Sequence, residues 1–177
     1  YTQGVPYDGF SSVFAFERLA QHRTAYVLWF QAWGDSDSAF AREQIAAAHS
    51  AGLTPVITWE PWQRNFANPV ATQPDYTLQA IASGTRDDYI RSWARGARDL
   101  RGPIIIRFAH EQSTEPGERS WYPWQGDPEG YRAAFRHIVG IFRDEGANNV
   151  QFFWSGMWLH EWASAYYPGE DVVDWVG

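Results

Sequence analysis

The sequence predicts an α/β chain of (β/α)8-barrel type, with about six βα units present. Three observations predict it. Short β-rich apolar runs alternate with segments of helical period along the chain, which implies a parallel sheet with helices packed on it. One run, IIIRF at 104–108, starts almost wholly apolar, as a strand buried on both faces does. No GxGxxG or GxxxxGK[ST] turn follows any strand, and a doubly wound nucleotide-binding sheet would usually carry one.

The elements follow in order. Residues 4–7 form a weak first strand, with 12–21 as its helix. Residues 25–31 (AYVLWFQ) are the first clear strand. Asp35, Ser36 and Asp37 then offer N-cap side chains to a helix running through Phe40, Ile45, Ala47 and Ala48, with Gly52 as its stop. The next strand is TPVITW at 54–59, with Pro55 tolerated near its start. A helix over 85–100 places Tyr89, Trp93, Ala97 and Leu100 on one face, with Thr85 as N-cap and Gly102-Pro103 as breaker. After the strand at 104–108, Asp127-Pro128 opens a helix with Pro at its first position. Its inner face is Tyr131, Phe135, Ile138, Val139 and Phe142, and Gly146 ends it. VQFFW at 150–154 is a strand, and VVDWV at 172–176 starts another. Barrels of this type have eight strands in about 250 residues. The expectation is therefore one domain, 1–177, that is an incomplete barrel. Either two C-terminal units lie outside the sequence, or two sheet edges stand open to a partner chain.

Composition removes whole classes of function. The net charge is −7 and every one of the 14 basic residues is Arg, which gives no basic footprint for nucleic acid. Cys is absent, so disulfides, thiolate catalysis and Cys-ligated zinc are excluded. No apolar run approaches the ~18–20 residues of a membrane span. His110-Glu111 and His160-Glu161 both lack a second His at the zincin spacing, and Asp35-Ser36-Asp37 lacks the later calcium-loop ligands. No metal and no cofactor is expected. The first residue is Tyr1, and no signal-peptide pattern follows it, so a processed product or a trimmed fragment is expected.

Aromatic residues make up 18% of the chain, with 11 Trp, more than a small core needs. In a barrel the chemistry sits at the C-terminal ends of the strands. Those positions hold Trp59-Glu60-Pro61-Trp62, then Arg107, His110 and Glu111, then Trp121-Tyr122-Pro123-Trp124, then Trp154, Met157 and Trp158. Indole faces stack on the C–H faces of sugars, and carboxylates and Arg bind hydroxyls, so a saccharide trough is expected. Glu111, beside aromatic walls at a strand mouth, suits a general acid that protonates a glycosidic oxygen. The bland alternative is a Glu paired with Arg107 or capping the next loop. His110 could polarise a carboxyl, bind substrate, or merely pack the strand end. Glu60 could bind hydroxyls or pair with Arg107. Trp62, Trp121, Trp124, Trp154 and Trp158 could be stacking platforms; any single one could equally be core.

IIIRFAHEQS followed by WYPW resembles the strand-four block of glycoside hydrolase family 26, the mannanase-type (β/α)8 glycosidases. LTPVITWEPW resembles that family's third strand, AIASGTRDDYIRSWA its third helix, VQFFWSGMW its fifth strand and YYPGEDVVDWVG its sixth. The resemblance implies that Glu111 is the acid/base and His110 its conserved neighbour. Trp121, Tyr122 and Trp124 would line the subsites around the cleavage point, and Trp154 would be the strand-five aromatic. It implies a retaining mechanism on β-mannan, β-glucan or xylan-type chains, by an extracellular enzyme. Its nucleophile would be a Glu on a seventh strand that these residues do not contain. The family usually continues His-Glu with Met-Asn-Gly; here Gln112, Ser113 and Thr114 follow. The competing expectation is a non-catalytic saccharide-binding or structural extracellular module that has kept the sugar-facing rings.

Overall fold

Runs of β-branched and aromatic residues pair side by side into one parallel sheet. In the computed structural model, which describes residues 9–35, 38–157 and 162–177, the strands are β1 (Tyr26–Ala32), β2 (Thr54–Glu60), β3 (Ile104–Phe108), β4 (Val150–Trp154) and β5 (Trp175–Val176). Every neighbouring pair is parallel and the order is β1-β2-β3-β4-β5. Sequential order belongs to a barrel wall; a doubly wound sheet reverses at a switch point. The sheet also curls. At the usual strand spacing a flat sheet would hold its first and fifth strands roughly 19 Å apart. Yet the Tyr26 and Trp175 rings, from those two strands, meet edge to face with centroids 6.3 Å apart.

Helices return the chain between strands. They are α1 (Ser11–Ala20), α2 (Arg42–Ser50), α3 (Leu78–Ala82), α4 (Asp87–Leu100), α5 (Pro128–Asp144) and α6 (Ala163–Tyr166). The predicted inner face of α5 is buried throughout: Tyr131, Phe135, Ile138, Val139 and Phe142. On α4, Trp93 and Ala97 are buried, while Tyr89 and Leu100 pack at the margin of the same core. Trp59 from β2 reaches this layer and meets Trp33, Trp93 and Phe142. Asp127 caps α5 by accepting from Gly130 N at 2.9 Å, with Pro128 in the first turn, as its sequence implies.

Three local expectations are corrected. Helix α2 begins at Arg42 with no side-chain cap, because Asp35 turns instead to Arg64, 2.6 Å away; Ser36 and Asp37 lie outside the described residues. Thr85 does not cap α4, which starts at Asp87. The run at 172–176 contributes only Trp175 and Val176 to the sheet. Before them Asp174 accepts from Phe152 N through its carboxylate at 2.7 Å, so a side chain replaces a strand acceptor. The weak strand at 4–7 also lies outside the described residues.

Candidate active site

The strand mouths gather three polypeptide segments: the end of β2, the end of β3 and the 109–127 loop that leads into α5. Pleat alternation sends Trp59 into the helix layer and leaves Glu60, the last residue of β2, on the other face. Glu60 is buried, and its Oε2 accepts from Arg64 Nε at 3.2 Å and from a second Arg64 nitrogen at 3.0 Å. Arg64 also reaches Asp35. Burial raises the Glu60 carboxyl above its ordinary value, with the Arg64 charge working against it.

Beyond β3 the backbone kinks. Ala109 and Glu111 both adopt left-handed conformations, φ 43° and 56°, on either side of His110. Each such non-glycine residue costs on the order of 1–2 kcal/mol and persists only where its surroundings hold it. Here they do. Ala109 N donates to Trp59 O at 3.1 Å, and Glu111 N donates to Ser155 O at 3.2 Å. The kink turns His110 inward and leaves Glu111 half-buried at the rim.

His110 is 2% exposed. Burial first, and then the Arg107 charge, push its pKa down to about 3, so the ring is neutral. Its Nε2 shares a hydrogen bond with Tyr122 Oη at 3.1 Å. Nδ1 lies 4.0 Å from Glu60 Oε1 and has no hydrogen-bond partner among the described residues. With a neutral ring that contact is not an ion pair. Tyr122 lies flat on Trp124, centroids 4.5 Å apart and planes 7° apart, and Trp62 abuts both edge-on. Trp124 Nε1 donates to His110 O at 2.9 Å.

The ion pair of Glu60 is with Arg64, four residues on, and not with Arg107. Arg107 donates to Ser155 Oγ at 2.9 Å and Thr58 Oγ1 at 3.5 Å, so its expected pairing with either Glu is corrected. Three of the five expected stacking platforms also need correction. Trp62, Trp124 and Trp154 are buried, with 1%, 1% and 8% exposure. Trp62 and Trp124 pack edge to face with each other and Trp154 packs against Tyr167, so none of the three offers an open face. With the Gln112 amide turned to the orientation its neighbours demand, Trp154 Nε1 donates to its oxygen at 2.9 Å and its nitrogen donates to Ser155 O at 2.8 Å. Trp121 is the open indole, 59% exposed, and Tyr122 is half-buried beside it. Trp158 lies outside the described residues.

Sequence reasoning missed Arg64, Gln125 and Ser155, and named Gln112 only as a departure from the family's pattern. Nothing local marked them: the i, i+4 rule needs a helix, and Glu60 ends a strand. The Glu111 and Trp121 backbones are nonetheless joined through one side chain. The buried Gln125 amide donates to Glu111 O at 2.7 Å and accepts from Trp121 N at 2.9 Å.

Comparison with known proteins places the chain in a family and a fold. Residues 72–177 match the model of "Glycosyl hydrolase family 26". The chain is 30% identical over 177 residues to Endoglucanase H of Acetivibrio thermocellus, covering 94% of the chain and 18% of that protein. It is 29% identical over 106 residues to a β-1,3-xylanase of a Vibrio species, covering 56% of the chain and 21% of that protein. A mannanase from Bacillus subtilis superposes with a TM-score of 0.69 at 17% identity, covering 94% of this chain and 57% of the mannanase. The chain thus spans about a fifth of these curated relatives. Because the family match takes in the β3–α5 loop, α5, β4 and β5, which carry most of the site, the chain belongs to glycosyl hydrolase family 26.

Proposed function

We propose that this chain supplies the acid/base half of a retaining β-glycanase, with Glu111 as the acid/base. The substrate would be a β-linked polysaccharide of the mannan or glucan type. One observation carries the reading: the backbones of Glu111 and the exposed Trp121 are tied to opposite ends of a single buried amide. The tie joins the two backbones at the mouth of a parallel barrel wall, where such folds do chemistry, and it supports a reading in which carboxyl and open indole serve one site. The relatives support the substrate class, being named endoglucanase, β-1,3-xylanase and mannanase.

In this mechanism Glu111 gives its proton to the glycosidic oxygen as the C–O bond breaks and a carboxylate attacks the anomeric carbon. Glu111 then takes a proton from the water that releases the glycosyl-enzyme. The nucleophile has to stand about 5–5.5 Å from the acid/base in a retaining enzyme. Glu60 is a poor choice, since it is buried and its Oε2 is engaged by Arg64. The nucleophile is assigned to residues outside these 177. Further strands, or another chain, would cover the edges of β1 and β5. A polymeric substrate is met outside the cell, so secretion belongs to the same proposal.

The test is hydrolysis of β-mannan, mixed-linkage β-glucan and β-1,3-xylan by the natural polypeptide carrying these residues. Glu111→Gln is expected to lower kcat by about 10²–10⁴-fold on the polysaccharide that is cleaved, the usual size of general acid–base catalysis. An unchanged rate would sink the assignment. Oligosaccharide binding without turnover would instead favour a saccharide-binding module.

A further inference from the structure

Gln125 uses its amide more completely than any other side chain at the site. It is 2% exposed. Its Oε1 accepts from three consecutive backbone amides: Ser120 N at 3.1 Å, Trp121 N at 2.9 Å and Tyr122 N at 3.2 Å. Its Nε2 donates to Glu111 O at 2.7 Å and approaches Met157 Sδ at 3.9 Å. The partners fix which end is which: three donors face the oxygen and a carbonyl faces the nitrogen.

Glu111 needs such a hold. Its left-handed backbone is strained, and it is fastened on one side by Ser155 O and on the other by Gln125. The aromatic loop needs it as well. Three adjacent N–H groups pointing at one place have no strand or helix to satisfy them.

We propose that Gln125 is the positioning residue that sets the Glu111 carboxyl against the Trp121–Tyr122 loop, through one amide bonded to both. It touches no substrate. The kinetic consequence rests on the acid/base reading of Glu111; the structural consequence does not.

Two variants of the natural polypeptide test it. Gln125→Ala removes both ends of the tie. Gln125→Glu keeps an oxygen for the loop amides but sets a second oxygen against the Glu111 carbonyl, so only the Glu111 side is broken. Amide exchange over residues 120–122 is expected to rise at least about tenfold in Gln125→Ala, with α5 unchanged, and to stay slow in Gln125→Glu. On polysaccharide, kcat is expected to fall about 10–100-fold in both, the size expected for ångström-scale misplacement. The burst of dinitrophenolate from the matching aryl glycoside, which needs no acid, is expected to change by less than about threefold.

Equal losses on both substrates would mean general damage and would overturn the proposal. So would unchanged exchange in Gln125→Ala, or unchanged kcat in Gln125→Glu. Should Gln125→Ala fail to fold, Gln125→Glu still decides. If the parent cleaves none of the three polysaccharides, the acid/base reading falls and the exchange result alone judges the tie.

Discussion

His110 sits where burial and the Arg107 charge both oppose a second ring proton. Its pKa falls from 6.5 to about 3 on folding. Across that window the unfolded chain takes up a proton that the fold refuses, so stability declines as pH falls. The slope for one such group is at most about 1.4 kcal/mol per pH unit. Below the folded value both states are protonated and this contribution is flat. Glu60, facing His110 Nδ1, acts in the opposite sense. Its pKa is raised, so the fold binds the proton first, and stability grows as pH falls from that raised value toward 4.5. His110→Gln isolates the imidazole. In urea titrations near pH 7 and near pH 4, the deficit of the variant relative to the parent is expected to shrink by about 1 kcal/mol or more at the lower pH. Parallel pH dependence in the two proteins would mean that His110 is not the group refusing the proton.

At the scale of elements, two glycines in helices make opposite predictions. A Cβ on Gly96, in α4, would stand 2.4 Å from the Phe40 ring, and Phe40 could move away only by leaving its edge-to-face contact with Trp93. A Cβ on Gly140, in α5, would meet nothing within 4 Å. Gly96→Ala is expected to destabilise by about 1–3 kcal/mol as overpacking does. Gly140→Ala is expected to stabilise by about 0.5–1 kcal/mol through helix propensity. Thermal melts of the two variants check both; a shift of the same sign in each would contradict the packing described.

The same distinction explains what the sequence made legible. The strands over 104–108 and 150–154, and the Asp127-Pro128 start of α5, could be read because apolar runs and caps are local signals. The five-residue α3 could not, since its length spans little more than one turn and gives no period to count. Glu111 and His110 were legible as candidates from their place at a strand mouth. Gln125 was not, because its role exists only once residues 111 and 120–122 have been folded around it. Burial of Trp62, Trp124 and Trp154 was equally hidden: an indole at a strand end has the same letter whether its faces are open or covered.

At the scale of the whole molecule, the curl of the sheet has an energetic consequence. Among the described residues β1 pairs only with β2, and β5 only with β4. Each leaves an unpaired row of backbone donors and acceptors. The apolar side chains on these strands are uncovered too: Tyr26 and Leu28 on β1, Trp175 and Val176 on β5, the last 66% exposed. Edges of this kind template pairing with any chain that offers a complementary one. In a closed barrel both edges would be covered, and pleat alternation would turn Tyr26, Leu28 and Trp175 toward its interior and Val176 away from it. The 177-residue chain, expressed by itself, is therefore expected to self-associate in a concentration-dependent way in sedimentation velocity. Lysine at an edge disfavours such pairing, so a double variant, Leu28→Lys with Val176→Lys, is expected to shift the distribution toward monomer. A parent chain that sediments as a single monomer and melts cooperatively would show that its edges are already protected, and would remove the case for strands or partners beyond the five.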